Sequence, residues 1–380
     1  MKITGSETFL LKIPVSEIKD SQYTVNSINL LVLKISTDIG IDGYGYNWHT
    51  SEGLDIVKKM FDEYVGNRLK GMDPLMRMNV ERFLMETHNF GWDPRLGYNG
   101  IGVYITSLVD IALWDIMCKI KDMPLYEVLG AGSDQVEAYN TDGGWLSWSE
   151  DDLVKNAVRL KNSGYRSIKL KVGSRNPMDD YERVKAVRAA IGYGMKLMID
   201  ANTKWDLETA VYMSRKLEEF DIYWLEEPLN PDNIRGHAEL RKKTTIPIAL
   251  GESLTNIYSF RDYIVSGAVD IIQVDVTKVG GITEWLKVAN LSEAFGLNVY
   301  PHTNIQQPLH GQLVASVPNG KMVEHVDWLT DVWRYPVKPE NGYFNLKSVE
   351  GAGSEVTEKA IEKFSVKYEN MHGGRVDINS

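Results

Sequence analysis

The chain has 380 residues, a length that suits one large domain with a smaller companion. Hydrophobic residues make up 43% and charged residues 25%, as in ordinary folded globular proteins. The net charge of −10 disfavours nucleic acid and anionic membranes as partners. Cys118 is the only cysteine, no apolar run approaches about 20 residues, and residues 1–15 lack a signal-peptide core. We therefore expect a cytoplasmic protein with neither an intrachain disulfide nor a membrane span.

The first domain, residues 1–125, is predicted to be an α+β unit without a repeating pattern. Residues 27–36 predict a strand, and helical patterns follow at roughly 52–70, 74–89 and 102–119. The stretch 43–49 is rich in glycine and aromatic residues, and we expect it to form a lid loop over a binding site.

From about residue 135 the chain repeats a strand and a helix, with an ionisable side chain at or near the end of each strand. Seven such residues follow one another at intervals of 22 to 29 positions: Lys171, Asp200, Glu226, Glu252, Asp275, His302 and Glu324. One strand, one helix and two short loops need roughly 25 residues. Helices are predicted between the strands at 151–163, 177–191, 207–219, 232–243, 256–266 and 281–295.

This repeat predicts a parallel α/β barrel, in which the C-terminal ends of the strands converge on one mouth that carries the chemistry. We place the barrel at residues 126–330, with its first strand near 135–141. The segment 331–380 is expected to return to the N-terminal domain. It should contain a short helix at 355–364 and a polar, frayed tail at 371–380.

Three carboxylates from successive units, Asp200, Glu226 and Glu252, predict a metal site at this mouth. Each acid alone could cap the helix that follows it, but three acids brought together repel unless a cation lies among them. Oxygen ligands select a hard ion such as Mg²⁺, and zinc is disfavoured because the sequence has no His-x-His motif and no pair of cysteines. Glu227, next to Glu226, is expected to face away because side chains alternate along a strand.

Two candidate proton carriers flank these acids. Lys169 and Lys171 share one face of their strand, and crowding by each other and by a cation would let one act as a base near neutral pH. Asp275 and His302 come from neighbouring strands, and the carboxylate would favour the protonated imidazole. A base on each side of a bound ligand suits proton abstraction next to a carboxylate, with the metal and Glu324 stabilising the enediolate.

Together these motifs resemble those of the enolase superfamily, mandelate racemase subgroup, over nearly the whole chain. They are Lys169-Leu-Lys171, Asp200-Ala-Asn202, Glu226-Glu-Pro228, Gly251-Glu252, Asp275-Val-Thr-Lys-Val-Gly-Gly281, His302 and Glu324, with Leu113-Trp-Asp115 in the N-terminal domain. The resemblance implies a (β/α)7β TIM-like barrel with an N-terminal α+β capping domain that the C-terminal segment completes. It also implies Mg²⁺ on the three acids and a homo-oligomer, either a dimer or an octamer.

The resemblance further implies a role for each polar residue. Lys171 would be one base, and His302 with Asp275 would be the other. Lys169 would stabilise the substrate carboxylate, and Glu324 would donate a hydrogen bond to it, which requires a protonated Glu324. Asp275 stands where the muconate-lactonising branch has a lysine base, which points to the racemase-like branch.

Many members of that branch resemble sugar-acid dehydratases, so we expect dehydration of an aldonate such as gluconate or galactonate. Removal of the C2 proton would give an enediolate, and loss of the C3 hydroxyl to His302 as general acid would give a 2-keto-3-deoxy acid. The expected substrate-binding residues offer hydrogen bonds or aromatic faces: Thr141, Asn202, Tyr23, Trp48 and His49.

Two other functions are compatible with the same fold. A racemase or epimerase of a 2-hydroxy acid would use the same residues and needs no leaving group at C3. A non-catalytic binding protein on the same barrel is disfavoured, because the metal ligands and both proton carriers are all present.

Overall fold

A computed structural model describes residues 1–86, 100–302, 305 and 307–366 of the chain. The N-terminal domain has an antiparallel sheet in the order β1-β2-β3. Its strands and helices are β1 Ile3–Lys19, β2 Thr24–Thr37, β3 Asp42–His49, α1 Leu54–Met60 with a π-helical turn at Phe61–Val65, α2 Gly66–Leu69, α3 Arg77–Met85 and α4 Ile101–Lys121. The strand predicted at 27–36 is confirmed within β2, whereas β1 was not predicted. The end of the helix predicted at 74–89 and the tail 371–380 lie outside the described residues.

Residues 43–49 belong to β3 and do not form a lid loop, so that prediction was wrong. β3 pairs with β2 along its whole length. A Cβ atom on Gly43 would lie 2.3 Å from the carbonyl oxygen of Ala112, and one on Gly45 would lie 1.9 Å from that of Leu108. The glycines therefore allow α4 to pack directly on the strand. Composition alone does not distinguish such glycines from the glycines of a loop.

Helix α4 is the core helix of the N-terminal domain. Among the described residues it is the one helix long and apolar enough to cross a membrane, but 83% of its most apolar window is buried inside the protein. Its Asp115 carboxylate accepts hydrogen bonds from the backbone N–H of Tyr44 (3.0 Å) and of Ala352 (2.9 Å). This side chain therefore ties β3 and the C-terminal segment to the same helix.

The second domain is a nearly closed barrel of eight parallel strands in the order β10-β9-β8-β7-β6-β5-β4-β11. The strands are β4 Gln135–Asn140, β5 Ser167–Lys171, β6 Lys196–Asp200, β7 Ile222–Glu226, β8 Ile248–Leu250, β9 Ile271–Ile272, β10 Asn298–Val299 and β11 Met322–His325. A parallel bridge from Val299 to Gly320 brings β10 beside the segment that leads into β11. A short strand, β12 Tyr343–Asn345, adds antiparallel to β4.

Helices alternate with these strands, and each of the six helices predicted within the barrel is confirmed by one of them. They are α5 Leu125–Val128, α6 Glu150–Asn162, α7 Pro177–Ile191, α8 Leu207–Leu217, α9 Ile234–Arg241, α10 Ile257–Val265, α11 Ile282–Ala294 and α12 Gln307–Ala315. The strand register pairs Lys171 with Asp200 and Asp200 with Glu226. The barrel therefore places these three strand ends side by side.

The C-terminal segment packs back on the N-terminal domain. Its helix, α13 Glu358–Phe364, is shorter than the predicted 355–364. The backbone N–H of Val366 donates to the carbonyl of Leu10 at 2.9 Å, and the Ser354 hydroxyl donates to that of Tyr44 at 2.6 Å. The predicted fold class is confirmed, while the domain boundaries at 125 and 330 stay predictions.

Asp110 of α4 joins the N-terminal domain to the first turn of α11. Its carboxylate accepts hydrogen bonds from the backbone N–H (2.9 Å) and hydroxyl (2.5 Å) of Thr283. Gly281 has a φ of 92°, and a Cβ atom there would lie 2.5 Å from Asp110 Oδ2. The glycine therefore lets the turn approach the carboxylate, which explains one glycine of the Gly-Gly281 motif.

We predict that Asp110→Asn changes how stability depends on pH. Burial raises the pKa of Asp110 from 3.8 to about 6, so the folded state binds this proton more tightly than the unfolded chain does. Asp110 therefore lowers the free energy of unfolding as pH rises from about 4 to 6. Urea unfolding at pH 4 and pH 7 should show the variant gaining about 1–3 kcal/mol relative to wild type at the higher pH. An equal difference at both pH values would contradict this.

We predict that Gly45→Ala destabilises the protein, because the added methyl group overlaps the backbone of α4. The expected loss is about 1–3 kcal/mol of unfolding free energy, measured by denaturant titration. Gly5→Ala in β1 is the matched control, since no atom lies within 4 Å of the added Cβ. Equal stability of the two variants would show that the close approach of α4 is not what requires glycine.

Candidate active site

Three carboxylates meet where adjacent strands end. Asp200 closes β6, Glu226 closes β7 and Glu252 follows β8 by two residues. One oxygen from each lies within 4.8 Å of the others. Asp200 and Glu226 are fully buried, and Glu252 faces a cavity. Such an all-oxygen set with one open side fits a hard divalent cation that keeps water or substrate oxygens as further ligands.

Two buried lysines lie against these acids. Lys169 Nζ is 2.8 Å from Glu226 Oε1 and 2.9 Å from Glu324 Oε1, and Lys171 Nζ is 2.5 Å from Asp200 Oδ2. Burial by itself would lower the pKa of Lys171, but the charge of Asp200 outweighs it and raises that pKa. Burial and the charge of Asp200 raise the pKa of Glu226 to about 7. The lysines thus offset only part of the repulsion among the acids.

His302 forms a dyad with Asp275. Its Nδ1 lies 3.0 Å from Asp275 Oδ2, and its Nε2 lies 3.2 Å from Glu252 Oε2. The other oxygen of Asp275 accepts from the backbone N–H and hydroxyl of Thr277, both at 2.8 Å. Burial disfavours the charged imidazole, but Glu252 and Asp275 together raise the pKa of His302. The imidazole is therefore held in one orientation and favoured in its protonated form.

The neighbours of Glu324 favour its carboxylate form, and its expected protonation in contact with a substrate stays a prediction. The Thr141 hydroxyl donates to Glu324 Oε1 at 2.5 Å, beside the Lys169 ammonium. Burial alone would raise the pKa of Glu324, but the positive charges of Lys169 and His302 lower it to about 2. Thr141, predicted to bind substrate, is buried and is absent from the described residues that line the cavity.

A cavity of about 400 Å³ opens above this cluster. The predicted residues on its wall are Lys171, Glu252, His302, Asn202, Tyr23, Trp48 and His49. The remaining predicted residues lie buried beneath that wall: Lys169, Asp200, Glu226, Asp275, Glu324 and Thr141. The structure therefore brings all of them to one end of the barrel, in one layer that lines the cavity and a second layer beneath it.

Trp48 and His49, at the end of β3, place aromatic groups over the site. The Trp48 ring stacks on His302, with 5.6 Å between centroids and 20° between planes. His49 Nδ1 lies 2.9 Å from the Ser51 hydroxyl. Burial and the nearby Lys278 lower the pKa of His49 to about 4, so it is neutral near pH 7 and can hydrogen-bond without carrying charge.

The turn between β1 and β2 covers the mouth in place of the predicted lid. The Ser21 hydroxyl donates to the carbonyl of Ala201 at 2.8 Å, and the Gln22 amide donates to that of Asn202. The backbone carbonyl of Lys19 accepts a hydrogen bond from the backbone N–H of Leu146 at 2.9 Å. This turn therefore contacts the loops that follow two barrel strands. Ser21 and Ala201 are 180 residues apart in the chain, so a local sequence pattern does not predict their contact.

Glu227 and Lys278 are among the cavity residues that were not predicted from the sequence. Glu227 was expected to face away, but its φ of 37° takes it out of the strand alternation, and its side chain lines the cavity. Burial and the charge of Glu252 raise the pKa of Glu227 well above its ordinary value. Lys278 also lines the cavity, 4.0 Å from Asp275 Oδ2. Its place within the Asp275–Gly281 motif was the available signal.

The chain matches two family models that together cover most of its length. Residues 6–130 match the mandelate racemase/muconate lactonizing enzyme N-terminal domain, and residues 152–360 match the enolase C-terminal domain-like family.

Similar proteins agree with this assignment. An L-talarate/galactarate dehydratase of Salmonella typhimurium is 35% identical over 353 residues, covering 92% of this chain and 87% of that protein. An arabinonate dehydratase of Saccharolobus solfataricus is 30% identical over 356 residues, covering 90% of this chain and 91% of that protein. The Salmonella enzyme's crystal structure with Mg and L-lyxarohydroxamate superposes with a TM-score of 0.90 at 32% identity, covering 96% of this chain and 93% of that one. This chain belongs to the enolase superfamily, with the N- and C-terminal domains of the mandelate racemase and muconate-lactonizing group.

Proposed function

We propose that the protein is a Mg²⁺-dependent dehydratase of sugar acids. The observation that carries the proposal is the placement of two proton carriers against different members of one acid cluster. Lys171 contacts Asp200, and His302 contacts Glu252. A ligand held at these acids would have a nitrogen base or acid on each side. The dehydratase names of two relatives support the reaction class.

We propose that Asp200, Glu226 and Glu252 hold the metal, because their oxygens converge and, within the described part of the chain, no softer donor takes part in the cluster. Bound there, Mg²⁺ would draw in the substrate carboxylate and stabilise the negative charge that develops on it during proton removal. The open side at Glu252 faces the cavity from which a substrate would enter.

Lys171 and His302 would move the protons. Lys171 can accept a proton only when the charge of Asp200 is compensated by another cation, because Asp200 otherwise holds the lysine in its ammonium form. His302 is favoured in its protonated form and suits protonation of the departing C3 hydroxyl. Its orientation by Asp275 fixes which nitrogen faces the cavity. The product would be a 2-keto-3-deoxy acid.

For Lys169 and Glu324 we propose roles different from those that the resemblance implies. An ionised Glu324 accepts hydrogen bonds and cannot donate one to a substrate carboxylate. We propose that the two residues form the buried floor of the site. Lys169 bridges Glu226 and Glu324, so it would keep the metal-binding acids in place.

The proposed substrates are polyhydroxy acids with one or two carboxylates. The cavity wall mixes hydrogen-bonding side chains, Asn202 and His49, with the aromatic faces of Tyr23, Trp48 and Trp145. Aromatic faces and hydrogen-bonding groups together suit a sugar chain better than a wholly apolar one. We expected an aldonate from the sequence, and the relative named for talarate and galactarate adds aldarates to the candidates.

We predict that the protein with Mg²⁺ converts at least one member of an aldonate and aldarate panel to a 2-keto-3-deoxy acid. Lys171→Met and His302→Asn should each lower kcat by about 10²–10⁴-fold, the usual contribution of a general acid or base. The assay derivatises the keto group of the product and measures the absorbance of the derivative. Lys216→Met, at an exposed helix position, is the matched control and should leave kcat unchanged.

Deuterium exchange at C2 separates the alternatives in the same experiment. Exchange without loss of water would favour the racemase or epimerase reaction over dehydration. Turnover by neither route on any member of the panel would contradict the proposed function. Loss of exchange in Lys171→Met, but not in His302→Asn, would assign proton abstraction to Lys171.

We predict that Mg²⁺ raises the melting temperature and that Glu252→Gln loses this increase. A ligand at 100 times its Kd stabilises the folded state by about 2.7 kcal/mol. Thermal unfolding over a Mg²⁺ titration measures the effect, with exposed Glu208→Gln as the control that should keep it. An increase of the same size in Glu252→Gln would remove that residue from the proposed metal site.

A further inference from the structure

The two oxygens of Glu226 have different surroundings. Oε2 accepts a hydrogen bond from Trp224 Nε1 at 3.0 Å and another from Gln273 Nε2 at 2.7 Å. Oε1 accepts one from the Lys169 ammonium at 2.8 Å. A carboxylate oxygen has about two lone-pair sites, so Oε2 is saturated while Oε1 keeps one site.

Both donors to Oε2 are buried. Trp224 is fully buried, and its ring makes edge contacts with Tyr139 (5.3 Å between centroids, 88°) and Tyr300 (5.2 Å, 63°). Gln273 is 1% exposed, its backbone N–H donates to the carbonyl of Leu250 at 2.9 Å, and its side-chain oxygen has no hydrogen-bond partner among the described residues, so the bond to Glu226 is the one that its amide makes there. If Glu226 turned Oε2 towards a cation, two buried N–H groups would lose their partner, which is costly in a dry interior.

We propose that Trp224 and Gln273 make Glu226 a one-oxygen metal ligand through Oε1, and that this favours Mg²⁺ over Ca²⁺. Mg²⁺ demands a compact octahedral shell and takes few carboxylate oxygens, whereas Ca²⁺ accepts larger shells in which a carboxylate binds through both oxygens. Blocking Oε2 removes the second oxygen that Ca²⁺ would use. Trp224 and Gln273 are therefore positioning residues that act through Glu226. The inference rests on the proposed metal site.

The test is the Kd of Mg²⁺ and of Ca²⁺, each measured by titration calorimetry on the full chain without substrate. In Gln273→Met, Mg²⁺ should bind about 10–100-fold more weakly, the usual cost of losing a partner of a metal ligand. Ca²⁺ should weaken less, because Oε2 becomes available to it. The ratio of the two Kd values should therefore move towards Ca²⁺.

Gln312→Met is the matched control. Gln312 is another fully buried glutamine whose amide makes two hydrogen bonds, accepting from the backbone N–H of Tyr126 (3.1 Å) and donating to the carbonyl of Gly351 (3.4 Å). Its loss should lower stability without changing either Kd. Trp224→Phe is the second variant. It removes one N–H donor to Oε2 and keeps most of the buried ring. It tests the same ratio of Kd values if Gln273→Met does not fold.

If Gln273→Met weakened the binding of Mg²⁺ and of Ca²⁺ equally, the inference would be overturned. The same holds if Gln273→Met or Trp224→Phe bound Mg²⁺ with the same Kd as Gln312→Met. A wild-type protein that binds no Mg²⁺ would overturn the metal site and the inference together. A wild-type protein that binds Mg²⁺ but dehydrates no sugar acid would contradict the proposed reaction alone, since the ratio of Kd values does not depend on turnover.

Discussion

The close approach of like charges at the barrel mouth is the constraint on which the rest of the site depends. Asp200, Glu226 and Glu252 present oxygens within 4.8 Å of one another, two of these acids fully buried. Such an arrangement is tolerable in a low-dielectric interior only if positive charge lies close by. Lys169 and Lys171 supply part of that charge from the neighbouring strand, and a divalent cation would supply the remainder.

This constraint explains the layered build of the site. Lys169, Glu324 and Asp275 are buried and fully engaged with neighbouring polar groups, so their positions are set before any ligand arrives. Lys171 and His302 reach the cavity, where a proton can be exchanged with a bound molecule. Fixed charges beneath the cavity and the proposed proton carriers on its wall suit a reaction in which negative charge develops, because the stabilising groups need not reorganise during the reaction.

The barrel and its acid cluster could be predicted because they depend on periodic, local information. Strand–helix units of similar length must place their strand ends at one mouth, so the spacing alone brought Asp200, Glu226 and Glu252 together. The predictions that were wrong concern features that depend on contacts between distant segments or on local backbone conformation. Gly43 and Gly45 suggested a loop, yet they serve the packing of α4, and the positive φ of Glu227 breaks the alternation that the strand pattern implied.

By itself, the sequence determined the fold class and the set of ionisable residues at the strand ends, because repeat length and residue type are properties of the chain. Only the tertiary structure decided which groups are charged and which face the cavity. The protonation of Glu324 depends on the Lys169 ammonium 2.9 Å away, and the cover over the mouth depends on Ser21 meeting Ala201 across 180 residues. Electrostatic free energies and surface contacts depend on distances in space, which the order of residues does not express.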